Sequence, residues 1–142
     1  MTDGKLDEEK IKQTVSTAIR MLDNVININY YSVDTAKNSN MKHRPIGLGL
    51  MGFQDALYLQ NIPYCSDDAV EFADKSMEMI SYNAILASTE LAKERGAYES
   101  FEGSLWSQGI LPKDSLDILE KHRGKEYLQV DRSETLDWDS LR

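Results

Sequence analysis

Cysteine occurs once in 142 residues, at Cys65, and histidine twice, at His43 and His122. A single thiol cannot close an internal disulfide, which points to a reducing compartment. His43, His122 and Cys65 are far apart with no ligand spacing, so a metal site is not expected. Cationic residues are the minority: 16 Lys and Arg stand against 24 Asp and Glu, for a net charge of −8 and a pI near 4.7. An acidic surface repels phosphate backbones, so neither nucleic acid nor an anionic membrane is an expected partner. Long hydrophobic runs are missing too. The longest, residues 46–53, is far too short to span a bilayer. The opening Met1-Thr2-Asp3-Gly4-Lys5 is polar and has no signal-peptide pattern, so the expectation is a soluble, cytoplasmic chain.

What is present is an ordinary globular composition, 41% hydrophobic and 28% charged, with aliphatic residues at regular spacing. Ile11, Val15, Ala18, Leu22 and Val25 follow a helical spacing that Ile19 and Ile26 widen. Asp7 is the expected N-cap, with Glu8 and Glu9 in the dipole-favoured first turn and Leu6 and Ile11 placed as a hydrophobic staple. The spacing ends near residues 27–31; residues 33–38 predict a further turn or two, and residues 38–43 a polar loop. A short helix is expected from Phe53 to about Asn61, stopped by Pro63. The second long helix begins at Ser66, Asp67 or Asp68, where Asp68 and Glu71 have capping-box spacing. Its small-residue stripe (Ala69, Ala73, Ala84, Ala87) suits close packing, and Lys93, Arg95 and Gly96 make a well-formed stop. Residues 114–121 predict one more short helix, and residues 127–130 a weak strand.

Residues 45–50 form the one clear strand candidate, short, apolar and entered through Pro45. Gly47 and Gly49 would share one bare face. A lone strand leaves its backbone groups without partners, so the chain reads as part of an α/β layer whose other strands lie elsewhere.

Candidate chemistry is sparse. Gly47-Leu48-Gly49-Leu50-Met51-Gly52 matches G-x-G-x-x-G, but a dinucleotide fold needs an acidic residue ending a second strand. Asp67 and Asp68 lie at about the right distance and instead open a helix; tight strand–helix packing is the better account of the glycines. Lys42-His43-Arg44 sits where an anion site is conceivable, though a solvated loop paired with carboxylates fits an acidic chain better. Cys65 has no neighbouring base or cation to activate it. Glu8-Glu9 and Asp67-Asp68 read as helix starts, and Tyr30-Tyr31 as packing at a helix end. The residues themselves point to no active site: no catalytic, cofactor-binding or metal-ligating residue is expected.

Longer strings are more specific. Met41-Lys42-His43-Arg44-Pro45-Ile46-Gly47-Leu48-Gly49-Leu50-Met51-Gly52-Phe53-Gln54-Asp55-Ala56-Leu57 resembles an internal segment of the large, catalytic chain of ribonucleotide reductase. So does Ala87-Ser88-Thr89-Glu90-Leu91-Ala92-Lys93-Glu94-Arg95-Gly96-Ala97-Tyr98, running on into Phe101-Glu102-Gly103-Ser104 and Gly109-Ile110-Leu111-Pro112. Arg20-Met21-Leu22-Asp23-Asn24-Val25-Ile26-Asn27-Ile28-Asn29-Tyr30-Tyr31 and Leu136-Asp137-Trp138-Asp139-Ser140-Leu141 are similar to it in the same order.

The resemblance implies a helix-rich segment of a ten-stranded α/β barrel, with residues 1–142 a partial barrel domain and no complete domain. It implies thiyl-radical reduction of ribonucleotides to deoxyribonucleotides by the whole enzyme. The family's radical-bearing cysteine, its neighbouring Asn and Glu and the redox cysteine pair would lie before this stretch, and the loop holding substrate phosphates just after it. The implied cofactors, ATP and deoxynucleotide effectors and a radical from a diiron-type small subunit, belong to the whole enzyme and none to this segment. The implied partners are the remaining parts of the large chain, that small subunit, and thioredoxin or glutaredoxin. Cys65 and Tyr30-Tyr31 match none of the family's functional cysteines or radical tyrosines. Residues 101–112 look more like the class I chains, while adenosylcobalamin-dependent relatives share the glycine strand. The alternatives are a segment of such a relative, or an independent helical binding module without catalysis.

Overall fold

The computed structural model describes residues 5–128 and 130–142. Helix α1, Glu8–Ile28, starts where Asp7 Oδ1 accepts the Lys10 amide at 3.0 Å, as its sequence predicts. Helix α4, Asp67–Arg95, is the longest element. The two pack through Val15 and Ile19 against Ala87 and Leu91, with Ile11, Ile80 and Ala84 around them. Arg20 reaches Glu94 and Asp23 reaches Arg95, which ties the late turns of both helices together, so they run in the same direction. The alanines of α4 let the aliphatic side chains of α1 approach closely.

The opposite flank of α4 holds the C-terminal part of the chain. Leu111, Trp138 and Leu141 are buried against Tyr82, Ile85, Leu86 and Leu136. The Tyr82 and Trp138 rings meet edge to face at 5.5 Å. Being covered on two sides explains why apolar residues surround the middle of α4 rather than forming one stripe.

Between the long helices lie α2, Asp34–His43, and α3, Phe53–Gln60. Leu57 of α3 is fully buried, and the Phe53 and Phe72 rings, 5.7 Å apart, join α3 to the start of α4. Helix α5, Ser115–Arg123, follows a tight turn at Pro112–Asp114.

Four expectations are corrected. Residues 38–43 are helical, not a loop: α2 buries none of its residues, and Asp34 in its first turn with Lys42 and His43 in its last complement the helix dipole despite the Asn and Ser content. The cap of α4 is Ser66, whose Oγ accepts from the Ala69 amide at 3.2 Å, so Asp68 lies inside the helix and opens no capping box. Of the weak strand expected at residues 127–130, Tyr127 closes a 3-10 turn, Lys125–Tyr127, Leu128 and Val130 belong to no strand, and Gln129 lies outside the described residues.

The fourth matters most. Residues 45–50 are not a strand, and among the described residues no strand element forms. The segment is open to solvent, with Ile46, Leu48 and Leu50 exposed. A Cβ added at Gly47 or Gly49 would meet nothing within 4 Å. A strand needs a neighbour for its amides and carbonyls, and this stretch of chain supplies none. The described residues are therefore helix-rich, and the sheet of the expected α/β barrel is not formed among them.

Candidate functional site

The most densely connected polar group joins the ends of α1, α2 and α4. Asp23, on the last third of α1, has only 15% of its side chain exposed. Its Oδ1 accepts from Arg44 Nε at 2.8 Å and its Oδ2 from Arg95 Nη1 at 2.6 Å. Arg44 also donates through Nη2 to the Asp23 carbonyl oxygen at 2.9 Å and through Nη1 to Asn27 Oδ1 at 3.0 Å. Arg95 adds a bond to Asn24 Oδ1 at 2.8 Å. Beside them Arg20 forks onto Glu94 at 2.9 and 2.6 Å. The hydrogen bonds from Arg20 hold the Glu94 carboxyl at about 2, well below the usual value. Planar forks on carboxylates are the strong form of such pairs.

Arg44 is also unusual in its backbone. It ends α2 in the left-handed region, at φ 45° and ψ 48°, with its amide donating to the Asn40 carbonyl at 2.8 Å. Glycine usually fills such a position.

The other residues singled out in the sequence are separated rather than assembled. Every member of the Lys42-His43-Arg44 cluster already has a partner. Lys42 faces Glu99 at 4.0 Å, His43 Nδ1 lies 2.7 Å from Ser100 Oγ, and Arg44 is held by Asp23. Tyr31 donates to the Ile26 carbonyl at 2.8 Å, a helix-end contact, while Tyr30 is exposed. Cys65 is exposed on the turn before α4. Among the described residues no three His, Cys, Asp or Glu side chains gather as a metal site, and no helix is long and apolar enough to cross a membrane.

A second polar centre escaped sequence reading altogether. Glu78, mid-way along α4, accepts from the Thr135 amide at 2.9 Å, Thr135 Oγ1 at 2.5 Å, the Leu136 amide at 3.3 Å and Trp138 Nε1 at 3.0 Å. Burial alone would push its carboxyl up; these hydrogen bonds outweigh it and hold the pKa below the ordinary 4.5. Nothing local marks Glu78 or Asp23, because their partners lie 57 or more residues away in one case and 21 or 72 in the other.

One cleft touches the glycine segment. It has a volume of about 310 Å³ and lies between α1, at Ile11, Thr14 and Ala18, and Leu48, Gly49 and Leu50. Its lining is mostly apolar; the polar side chains are Asp7, Lys10 and Thr14 at the start of α1, where Asp7 serves as the helix cap, so the cleft has the character of a packing surface.

The amino-acid sequence that builds these elements matches a known domain along its length. A family model described as "Ribonucleotide reductase, barrel domain" matches residues 1–142. The chain belongs to this family. It is 57% identical over 140 residues to the ribonucleoside-diphosphate reductase subunit alpha of Chlamydia muridarum, covering 99% of this chain and 13% of that one. It is 43% identical over 117 residues to the ribonucleoside-diphosphate reductase large subunit of Arabidopsis thaliana, covering 82% of this chain and 14% of the relative. The Vaccinia virus large subunit is 42% identical over the same number of residues, 15% of its length. The chain thus spans about one seventh of the curated reductase chains it matches.

Proposed function

We propose that the 142 residues are a structural part of the barrel of a ribonucleoside-diphosphate reductase large chain, with residues 45–50 serving as one strand of its ten-stranded sheet. The observation that carries this is the match along the whole chain, at 57% identity over 99% of it, to a protein of that name. The unpartnered, glycine-bearing apolar segment supports it, because its exposed backbone and bare face suit a sheet completed by other residues.

In this reading the segment positions and the rest of the large chain reacts. Replacing the 2′-hydroxyl of a ribonucleoside diphosphate by hydrogen releases water and takes two electrons from a pair of thiols, which become a disulfide. Cys65 is the one thiol here, so these residues cannot supply the thiol pair, and in this reading none of them takes a catalytic, cofactor-binding or metal role. The partners are the remainder of the large chain, a radical-supplying small subunit of the diiron type, and a thioredoxin-like dithiol in a cytoplasmic setting. Nucleotide effectors act on other parts of the enzyme.

The test is a chimera in which this sequence replaces the matching stretch of the Chlamydia muridarum alpha subunit. With the small subunit and a dithiol reductant, it should reduce a ribonucleoside diphosphate within about tenfold of the parent rate, since 57% identity preserves the packing pattern. A folded chimera without turnover would contradict the assignment. The 142-residue chain alone should produce no deoxynucleotide.

A further inference from the structure

We infer that Asp23, Arg44 and Arg95 form a latch that aims residues 45–50 from the end of α2, and that Arg44 is thereby a positioning residue for the reaction of the complete enzyme. This rests on the reductase reading above, but its geometric part does not.

Two features of Arg44 call for an explanation. Its φ of 45° lies in the left-handed region, where a residue with a Cβ is strained. It also precedes Pro45, and proline favours extended backbone in the residue before it. Such a conformation persists only where the surroundings enforce it, and here they do. The Arg44 guanidinium makes one bond to each of three α1 acceptors: the Asp23 carboxylate, the Asp23 carbonyl and Asn27. The other Asp23 oxygen is fixed by Arg95 at the end of α4. The direction in which the chain leaves α2 is thus tied to both long helices at the residue before the glycine segment begins.

Charge alone does not explain the arrangement. A loose surface pair would leave the side chains mobile and the backbone relaxed, whereas Asp23 is mostly shielded and both its oxygens are used. Nor does helix capping explain it, because a glycine at 44 would end α2 without strain. What arginine adds over glycine is the connection to α1. A segment lining a barrel must be placed to a fraction of an ångström if groups beyond it are to meet in reactive geometry.

Arg44→Gly separates the two roles, since it relieves the backbone and removes the latch. In the complete chimera, amides 46–50 should exchange with solvent about tenfold faster than in the parent chimera, while α1 and α4 keep their protection. The kcat for ribonucleoside diphosphate should fall at least about tenfold with KM within about threefold, because alignment rather than substrate contact is lost. Arg44→Lys should resemble the glycine variant, since an ammonium cannot span the three acceptors. Asp23→Asn keeps the side-chain volume and serves as a second variant if Arg44→Gly misfolds; it should show the same two changes at smaller size. Unchanged exchange at 46–50 in both folded variants would overturn the latch. Faster exchange with unaltered kcat would overturn the positioning role. A parent chimera without turnover would overturn the reductase reading instead, and the exchange comparison would still decide the latch.

Discussion

The α1–α4 seam and the segment 46–51 both carry aliphatic side chains at regular intervals, and the chain treats them in opposite ways. Val15, Ile19, Ala87 and Leu91 are buried against one another. Ile46, Leu48, Leu50 and Met51 stay in solvent, Met51 at 93% exposure. Helices satisfy their own backbone and need only a facing surface to cover one stripe, and α1 and α4 supply that to each other. An extended segment needs hydrogen-bond partners along its edges as well as cover on its faces. What this stretch of chain closes by itself is helical; what it leaves open is, in the proposed reading, covered by the rest of the large chain.

That contrast can be broken at several points. The largest effect should come from the closed side. Leu91→Ala empties a packed position in the seam and should destabilise the complete chain by about 2–5 kcal/mol, read as a fall in denaturation midpoint. Next comes the open side. Gly49 has nothing within 4 Å of a built Cβ in these residues and no left-handed backbone, so Gly49→Val meets no obstacle from its own segment. In the complete chain, where neighbouring strands are to cover that face, it should cost about 1–3 kcal/mol through overpacking. Equal, negligible effects in both settings would show that nothing packs there.

A smaller effect belongs to the Glu78 clamp on the C-terminal segment. Glu78→Gln removes the charge from a group accepting from Thr135, Leu136 and Trp138 and should cost about 1 kcal/mol. Because the folded pKa lies below the ordinary 4.5, the clamp's contribution is complete above that value and is lost as pH falls through the lower folded value. Trp138 fluorescence should therefore report release of this segment only under acid conditions, and the Gln variant should lack that pH dependence.

The legible parts of the fold are those fixed by neighbours in sequence. Asp7 and Gly96 mark helix ends where the ends occur, and Ser66 is one of the three caps the sequence offers for α4. The aliphatic spacing of 11–26 picks out the buried Val15, Ile19 and Ile26 but also Val25, which is exposed. The helix at 38–43 was hidden because Asn and Ser are weak local formers, and α2 is held at its end by Arg44, whose partner is 21 residues away. The strand reading of 45–50 came from composition, which describes what a segment can pair with and not whether a partner is present. In Lys42-His43-Arg44 the composition correctly implies carboxylate partners for Lys42 and Arg44, but the residues end a helix rather than lie in a solvated loop. His43 meets Ser100, and nothing local names Asp23 as the acceptor. Family membership is legible for another reason: four strings in fixed order carry far more information than one glycine motif, which by itself names no family.

Amide exchange at Ile46, Gly47, Leu48, Gly49 and Leu50, compared between the isolated 142-residue chain and the complete large chain, tests the central claim most directly. Strand pairing supplied by the rest of the barrel predicts rapid exchange in the isolated chain and strong protection in the complete one. Equal exchange in the two settings, whether fast or slow, would contradict it.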